Sequence, residues 1–328
     1  MIPDTTAVPV PQNAPTRTGV WAGLAALVLA TRPRQWTKNV LVFAGLLFTL
    51  DQKHPVEDFA RAGFAFGLFC LLSGAVYLVN DLVDVEADRQ HPKKRLRPLA
   101  SGRLGERTAR VAAALLFAAA LAGAWTLNIA FFTGALIYGL ISLLYTLRLK
   151  HVVLIDVMAL ASGFVLRAAA GCFAVGVPNS PWLLLCTTLL ALFLGLAKRR
   201  GEVATLGDNP ATRRILADYS LPLLDQLITI VASACIMAYA LYTFFARPGQ
   251  GFVAPAPSGV PPDPPFLMMT IPFVIYGVFR YLYLVHRKNE GESPESVLLT
   301  DRPTLVNVLL FVVCAAAVVL ATHGSGAR

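Results

Sequence analysis

The feature that most constrains this chain is a series of apolar runs, each roughly twenty residues long, separated by short polar stretches. One of them, "AGFAFGLFCLLSGAVYLV" at residues 62–79, carries no charged residue. A run of that length matches the hydrocarbon thickness of a bilayer at the helical rise per residue. Within lipid, each segment must satisfy its own backbone polar groups, so runs of this kind form helices. The pattern predicts an all-α, polytopic membrane protein with about nine spanning helices. They are placed near residues 34–50, 60–80, 108–127, 129–147, 152–175, 181–198, 223–245, 266–286 and 304–322. The first is short and opens with Arg34 and Lys38, so it is expected to tilt or to lie partly at the membrane surface.

Composition agrees. Hydrophobic residues make up 56% of the chain and charged residues 14%, with a mean hydropathy of +0.62; soluble domains are about one quarter charged. One membrane domain over residues 19–323 is expected, with a disordered Pro/Thr/Ala-rich tail at 1–18 and a short tail at 324–328. The first stretch lacks the basic start and apolar core of a signal peptide. The five cysteines stand singly within apolar runs and read as buried small hydrophobes.

The formal net charge of +9 is explained by topology. With the N-terminus inside, only Lys53, Arg61, Arg247 and Arg328 fall outside and Arg167 falls within a span, leaving 23 of the 28 Lys and Arg on the inside. So lopsided a bias supports an odd helix count and a multi-pass cell-membrane protein whose N-terminus faces the cytoplasm. It excludes nucleic acid as the reason for the basic charge.

The densest ionic stretch is "NDLVDVEADRQHPKKRLRPLASG", directly after the second span. Asp81, Asp84 and Asp88 are spaced i, i+3 and i+7, and on one helix they share a face, with Asn80 beside Asp84. Three bare carboxylates so close repel one another unless a cation sits among them. Mg²⁺ prefers oxygen ligands and is commonly held by a few carboxylates together with substrate phosphates; Mn²⁺ is the alternative ion. Lys93, Lys94, Arg95 and Arg97 would meet the remaining phosphate oxygens. A solvated helix end followed by topological charge accounts for the bases but leaves the carboxylate stripe without a reason.

"NDLVDVEAD" resembles the NDxxDxxxD motif of the UbiA superfamily of intramembrane prenyltransferases, and "RPRQWTKN" and "RLRPLASG" are similar to that family's flanking segments. The resemblance spans roughly residues 31–320. It implies a UbiA-like helical bundle and a Mg²⁺–diphosphate site on Asp81, Asp84 and Asp88. Family members that prenylate aromatics carry a second aspartate-rich motif after the sixth helix; here that place reads "LAKRRGEVATLGD", with Lys198, Arg199, Arg200, Glu202 and Asp208. A basic set suits a phosphate neutralised by side chains. Asp156 and Arg167 lie within one span on one face, but about 16 Å apart along the axis, so each needs its own partner or a polar cavity.

Tyr145, Lys150 and Asp156 ("YxxxxKxxxxxD"), "KRRGE" and "SPESVLLTDRPTL" are similar to the polyprenyl-phosphate phosphoribosyltransferase subgroup. That resemblance implies transfer of 5-phosphoribose from phosphoribosyl pyrophosphate to a polyprenyl (decaprenyl) phosphate at the bilayer. Asp156 would steady the developing ribose cation, Lys198 and Arg199 would hold the 5-phosphate, and Glu202, Tyr145 and Lys150 would belong to the substrate-binding set. Arg34, Lys38 or Arg167 would receive the lipid phosphate. An aromatic prenyltransferase, and in another class a transporter or anion-binding protein, remain open alternatives. Oligomeric state is open as well.

Overall fold

A computed structural model of the chain describes residues 19–49, 54–206, 218–245, 266–287 and 300–324. The predicted tail at 1–18, all of the predicted 324–328 tail except Gly324, Asp208, and most of "SPESVLLTDRPTL" lie outside these residues. The described chain is helical, with α-helices joined by loops, short 3₁₀ turns and one longer 3₁₀ segment. Eight of its helices are long and apolar enough to cross a membrane.

The predicted first span is where expectation and structure part. Instead of one helix at 34–50 there are three pieces: α1 (Val20–Ala30), a 3₁₀ segment (Pro33–Phe43) and α2 (Ala44–Leu47). They descend alongside α3 (Val56–Val83). Thr31 packs on Gly74, Asn39 donates to Cys70 Sγ and Ser73 Oγ, and the Phe43 ring lies 5.7 Å from that of Phe66. Non-α backbone is tolerated at membrane depth only where protein covers it. Here α7 (Ile155–Val175) supplies the cover. A Cβ on Gly171 would stand 2.0 Å from the Val42 carbonyl oxygen, so only glycine admits so close a crossing.

After α3 come α4 (Val85–Gln90), α5 (Glu106–Leu127) and α6 (Ile129–Leu147). Asn128 caps α6 by accepting from Phe131 N, and its amide donates to Phe173 O at the far end of α7. Beyond α7 follow α8 (Pro181–Leu206), α9 (Leu221–Phe245), α10 (Ile271–Arg287) and α11 (Arg302–Gly324).

Two cores meet at α7. Its first half packs with α8, α9 and α10 through Val157, Phe193, Leu224, Ile228 and Leu284. Its second half packs with α3, α5 and α6 through Ala170, Ala174, Phe69 and Phe131. Large apolar side chains such as Leu115, Ile230 and Val313 point outward, as a lipid-facing surface requires.

Candidate active site

The site residues come from the end of α3 and from α4, from the end of α6 and the turn after it, from the start of α7, and from the last third of α8. The three aspartates do not ride one unbroken helix: α3 ends at Val83, Asp84 sits at φ −95°, ψ 5°, and α4 resumes at Val85. Helical hydrogen bonds still bridge the break, from Asp84 N to Asn80 O and from Asp88 N to Asp84 O. The stripe therefore divides. Asp81 and Asp88 are nearly buried and both take the guanidinium of Arg97, while Asp84 accepts from Lys150 Nζ at 2.6 Å. Arg32, which the sequence reading did not single out, reaches the same Asp81 oxygen as Arg97.

Oxygen-donor carboxylates suit a hard cation such as Mg²⁺. Among the described residues, however, no three acidic, His or Cys groups stand close enough to hold a metal by themselves. The three carboxylates would hold a Mg²⁺ only together with oxygen ligands supplied from outside the chain.

Just beyond α4, His91 Nδ1 accepts from the backbone N–H groups of Lys93 and Lys94. Burial, with Lys94, Arg97 and Lys93 nearby, lowers the His91 pKa against the opposing pull of Asp88. The imidazole thus stays a neutral acceptor and shapes the turn that presents the two lysines, while Arg95 is solvent-exposed.

A second ionic cluster lies at the start of α7. Asp156 is 0% exposed and accepts from Arg199 Nε at 2.6 Å and from Tyr219 OH at 2.8 Å. Arg199, itself 1% exposed, also donates to Glu202 and to Tyr145 OH. Its guanidinium is thus engaged inside the protein and is not turned toward the mouth, contrary to its expected place on a phosphate. Lys198 beside it is only partly buried and lies within electrostatic range of Glu202 and, more weakly, of Lys38 on the 3₁₀ segment. Tyr219 also accepts from Leu154 N at 2.7 Å, and Leu154 is held at φ +66°, a strained conformation for a β-unbranched non-glycine. Burial, reinforced by Asp156, pushes the Tyr219 hydroxyl up to about 12, so it stays a donor.

Arg167 and Asp156 each have separate partners, as their axial separation demands. Arg167, 5% exposed, donates to Asn39 Oδ1, Gly163 O and Tyr138 OH, each at 2.7 Å, and lies over the Tyr138 ring. This network ties the 3₁₀ segment to α6 and α7 deep in the bundle and leaves Arg167 poorly placed for a lipid phosphate at the surface. Arg34 is exposed. Arg200 pairs with Asp225, fastening α8 to α9.

A bundle of membrane-crossing helices with a carboxylate motif and a ring of cations at one end is the architecture of an intramembrane transferase that handles phosphorylated lipids. Residues 20–300 match the UbiA prenyltransferase family, and the chain belongs to it. It is 36% identical over 283 residues to a decaprenyl-phosphate phosphoribosyltransferase of Mycobacterium tuberculosis, covering 85% of this chain and 89% of that one. A protein of the same description from Corynebacterium glutamicum is 34% identical over 292 residues, 88% of this chain and 85% of the relative. The fold is similar to that of a UbiA homolog from Archaeoglobus fulgidus bound to GPP and Mg²⁺, with a TM-score of 0.68 at 18% identity over 90% of this chain and 99% of that one.

Proposed function

We propose that this chain transfers the 5-phosphoribosyl group of phosphoribosyl pyrophosphate to a polyprenyl (decaprenyl) phosphate, releasing pyrophosphate, on the cytoplasmic face of the membrane. The observation that carries this reading is the inner end of α8. Where an aromatic prenyltransferase would place a second carboxylate set, the one carboxylate, Glu202, is paired with Arg199, and partly buried Lys198 adds a second cation within electrostatic range of Glu202 and of Lys38. A donor with two anionic ends needs two counter-charged sites, and a prenyl diphosphate needs one.

Asp81, Asp84 and Asp88 would hold Mg²⁺, which when bound supplies positive charge to the departing pyrophosphate. Arg97, Lys93, Lys94 and Arg95 meet that group's remaining oxygens, and Lys150 keeps Asp84 aimed. Lys198 and Lys38 hold the ribose 5-phosphate. The bond from ribose C1 to the pyrophosphate oxygen breaks with its electron pair leaving on pyrophosphate, and C1 bonds to an oxygen of the lipid phosphate. A phosphate monoester is already ionised near pH 7, so the nucleophile needs no strong base. Asp156 acts through Arg199, fixing Tyr145 and Glu202 at the site wall. Arg34, which is exposed, meets the acceptor phosphate.

The deciding experiment offers membranes containing the protein labelled phosphoribosyl pyrophosphate or labelled prenyl diphosphate, with decaprenyl phosphate or an aromatic acid as acceptor. Label should enter the lipid only from phosphoribosyl pyrophosphate. Prenylation of the aromatic acid without phosphoribosyl transfer would overturn the assignment.

A further inference from the structure

Arg32 occupies a peculiar backbone. It is held at φ +56°, ψ +66°, in the left-handed region, at the break between α1 and the 3₁₀ segment. A non-glycine residue there stores strain, and such outliers persist where the surroundings fix them. Both neighbours do so: Thr31 is packed against Gly74 of α3, and Pro33 has its φ locked by its ring. The result is that the Arg32 guanidinium lies 4.8 Å from the Tyr77 ring centroid and meets Asp81. Asp81 is 2% exposed, whereas the Arg32 side chain is 25% exposed. The arginine therefore has one side on the carboxylate and the other open to a cavity of about 280 Å³, lined also by Lys93, Arg97 and Leu29. Three cations share this cavity with one carboxylate.

We propose that Arg32 is an exchangeable counter-ion that makes metal and diphosphate binding depend on each other. This rests on reading the aspartates as a Mg²⁺–diphosphate site. Before loading, Arg32 and Arg97 share one Asp81 oxygen and neutralise a carboxylate that burial would otherwise disfavour. A metal arriving alone must displace a guanidinium and leave it without an anion. A diphosphate arriving alone finds that guanidinium already engaged. When the two arrive together, Asp81 turns to the metal and Arg32 to a phosphate oxygen, so every charge keeps a partner. Each ligand then raises the other's affinity by the same factor.

The test uses purified full-length protein with Mn²⁺ alone, followed by electron paramagnetic resonance of the free ion, and separately with the preformed manganese–pyrophosphate complex, followed by retention of labelled pyrophosphate. Wild type should bind Mn²⁺ alone weakly and the complex well. Arg32→Gln should bind Mn²⁺ alone roughly tenfold more tightly and the complex roughly tenfold more weakly, shifts of opposite sign expected for loss of one charged contact. Arg32→Gly, which adopts the left-handed backbone without cost, should show the same pair of shifts and guards against a folding defect. If both variants lose both affinities together, or change neither, Arg32 is only a structural residue and the exchange is refuted. If wild type binds neither probe, the metal–diphosphate reading of the aspartates fails first, and the exchange with it.

Discussion

The two ionic clusters of this protein use the same chemistry in opposite ways. At the mouth, Asp81, Asp84 and Asp88 face Arg32, Arg97 and Lys150, and the side chains of Arg32 and Arg97 are about one quarter exposed. At the start of α7, Asp156 and Arg199 are shut away from solvent and each is satisfied by neighbours on other helices. Exposure decides what a pair can do. Charges open to a cavity can change partners at modest cost, whereas a pair fully removed from water is strongly penalised if either member is lost. The mouth is built to exchange ions and the sealed pair to hold α6, α7 and α8 in register around it.

The largest expected effect tests the first half of that contrast. Asp84→Asn keeps size and hydrogen bonding to Lys150 but removes a charge, so turnover should fall by at least about a hundredfold while the amount of folded protein in the membrane stays near wild type. Chelation with EDTA should silence the wild type and Mg²⁺ restore it. Undiminished transfer by Asp84→Asn would mean that the mouth carboxylates do not handle the donor.

Next in size is the sealed pair. Arg199→Ala strands Asp156 and should destabilise the protein by about 3–5 kcal/mol, seen as a lower melting temperature in detergent and a smaller folded yield. The double variant Arg199→Met with Asp156→Leu replaces the pair by apolar groups and should recover much of that stability. A well-folded Arg199→Ala protein with only a raised KM for phosphoribosyl pyrophosphate would instead return Arg199 to the phosphate and erase the contrast.

Tyr219→Phe removes one donor to Asp156 and the acceptor of Leu154 N, and leaves the ring in place. A loss of about 1–3 kcal/mol is expected for the stranded polar groups. Because the folded pKa of Tyr219 is raised to about 12, its neutral hydroxyl contributes stability below the ordinary tyrosine pKa of about 10 and loses it as pH rises through the folded value. The variant should lack that alkaline fall, as melting curves across the range would reveal.

Much of this was legible in the sequence, and the illegible part has physical reasons. The apolar runs located the eight long helices, because lipid leaves the backbone no alternative. The broken first segment was not legible: its non-α course depends on how closely α7 approaches at Gly171. The spacing of Asp81, Asp84 and Asp88 announced an oxygen-rich stretch; of the other residues singled out, Lys150 meets Asp84, while Tyr145 and Asp156 meet Arg199 in the second cluster. Their pairings could not be read from spacing, since Lys150 meets Asp84 from 66 positions away and Tyr219 meets Asp156 from 63. Arg32 and Leu154 carry no turn residue to advertise their positive φ. Tertiary packing imposes it.

The smallest expected effect concerns the Arg280–Asp301 pair between α10 and α11, which extends the comparison to an ion pair that is neither sealed nor part of the mouth. Asp301 precedes α11, accepts from Thr304 N at 3.1 Å and Thr304 Oγ1 at 2.6 Å, and receives two hydrogen bonds from Arg280 of α10. Its work is to cap one helix and to tie it to the preceding one. Asp301→Ala should therefore cost about 1 kcal/mol, the usual value of a helix N-cap, and should leave KM for the donor unchanged. The hydrogen bonds from Arg280, aided by those from Thr304, hold the Asp301 carboxyl well below the usual carboxylate range. With the folded pKa depressed, its contribution is fully present above the ordinary aspartate value of about 4 and is lost only as pH falls through the lower folded value. Between neutral pH and about pH 5 the wild type and the variant should thus differ by a constant amount in melting temperature, and in stronger acid the difference should shrink. A gap that closes already near neutrality would show that this carboxylate is not held by Arg280, and that the tie between α10 and α11 lies elsewhere.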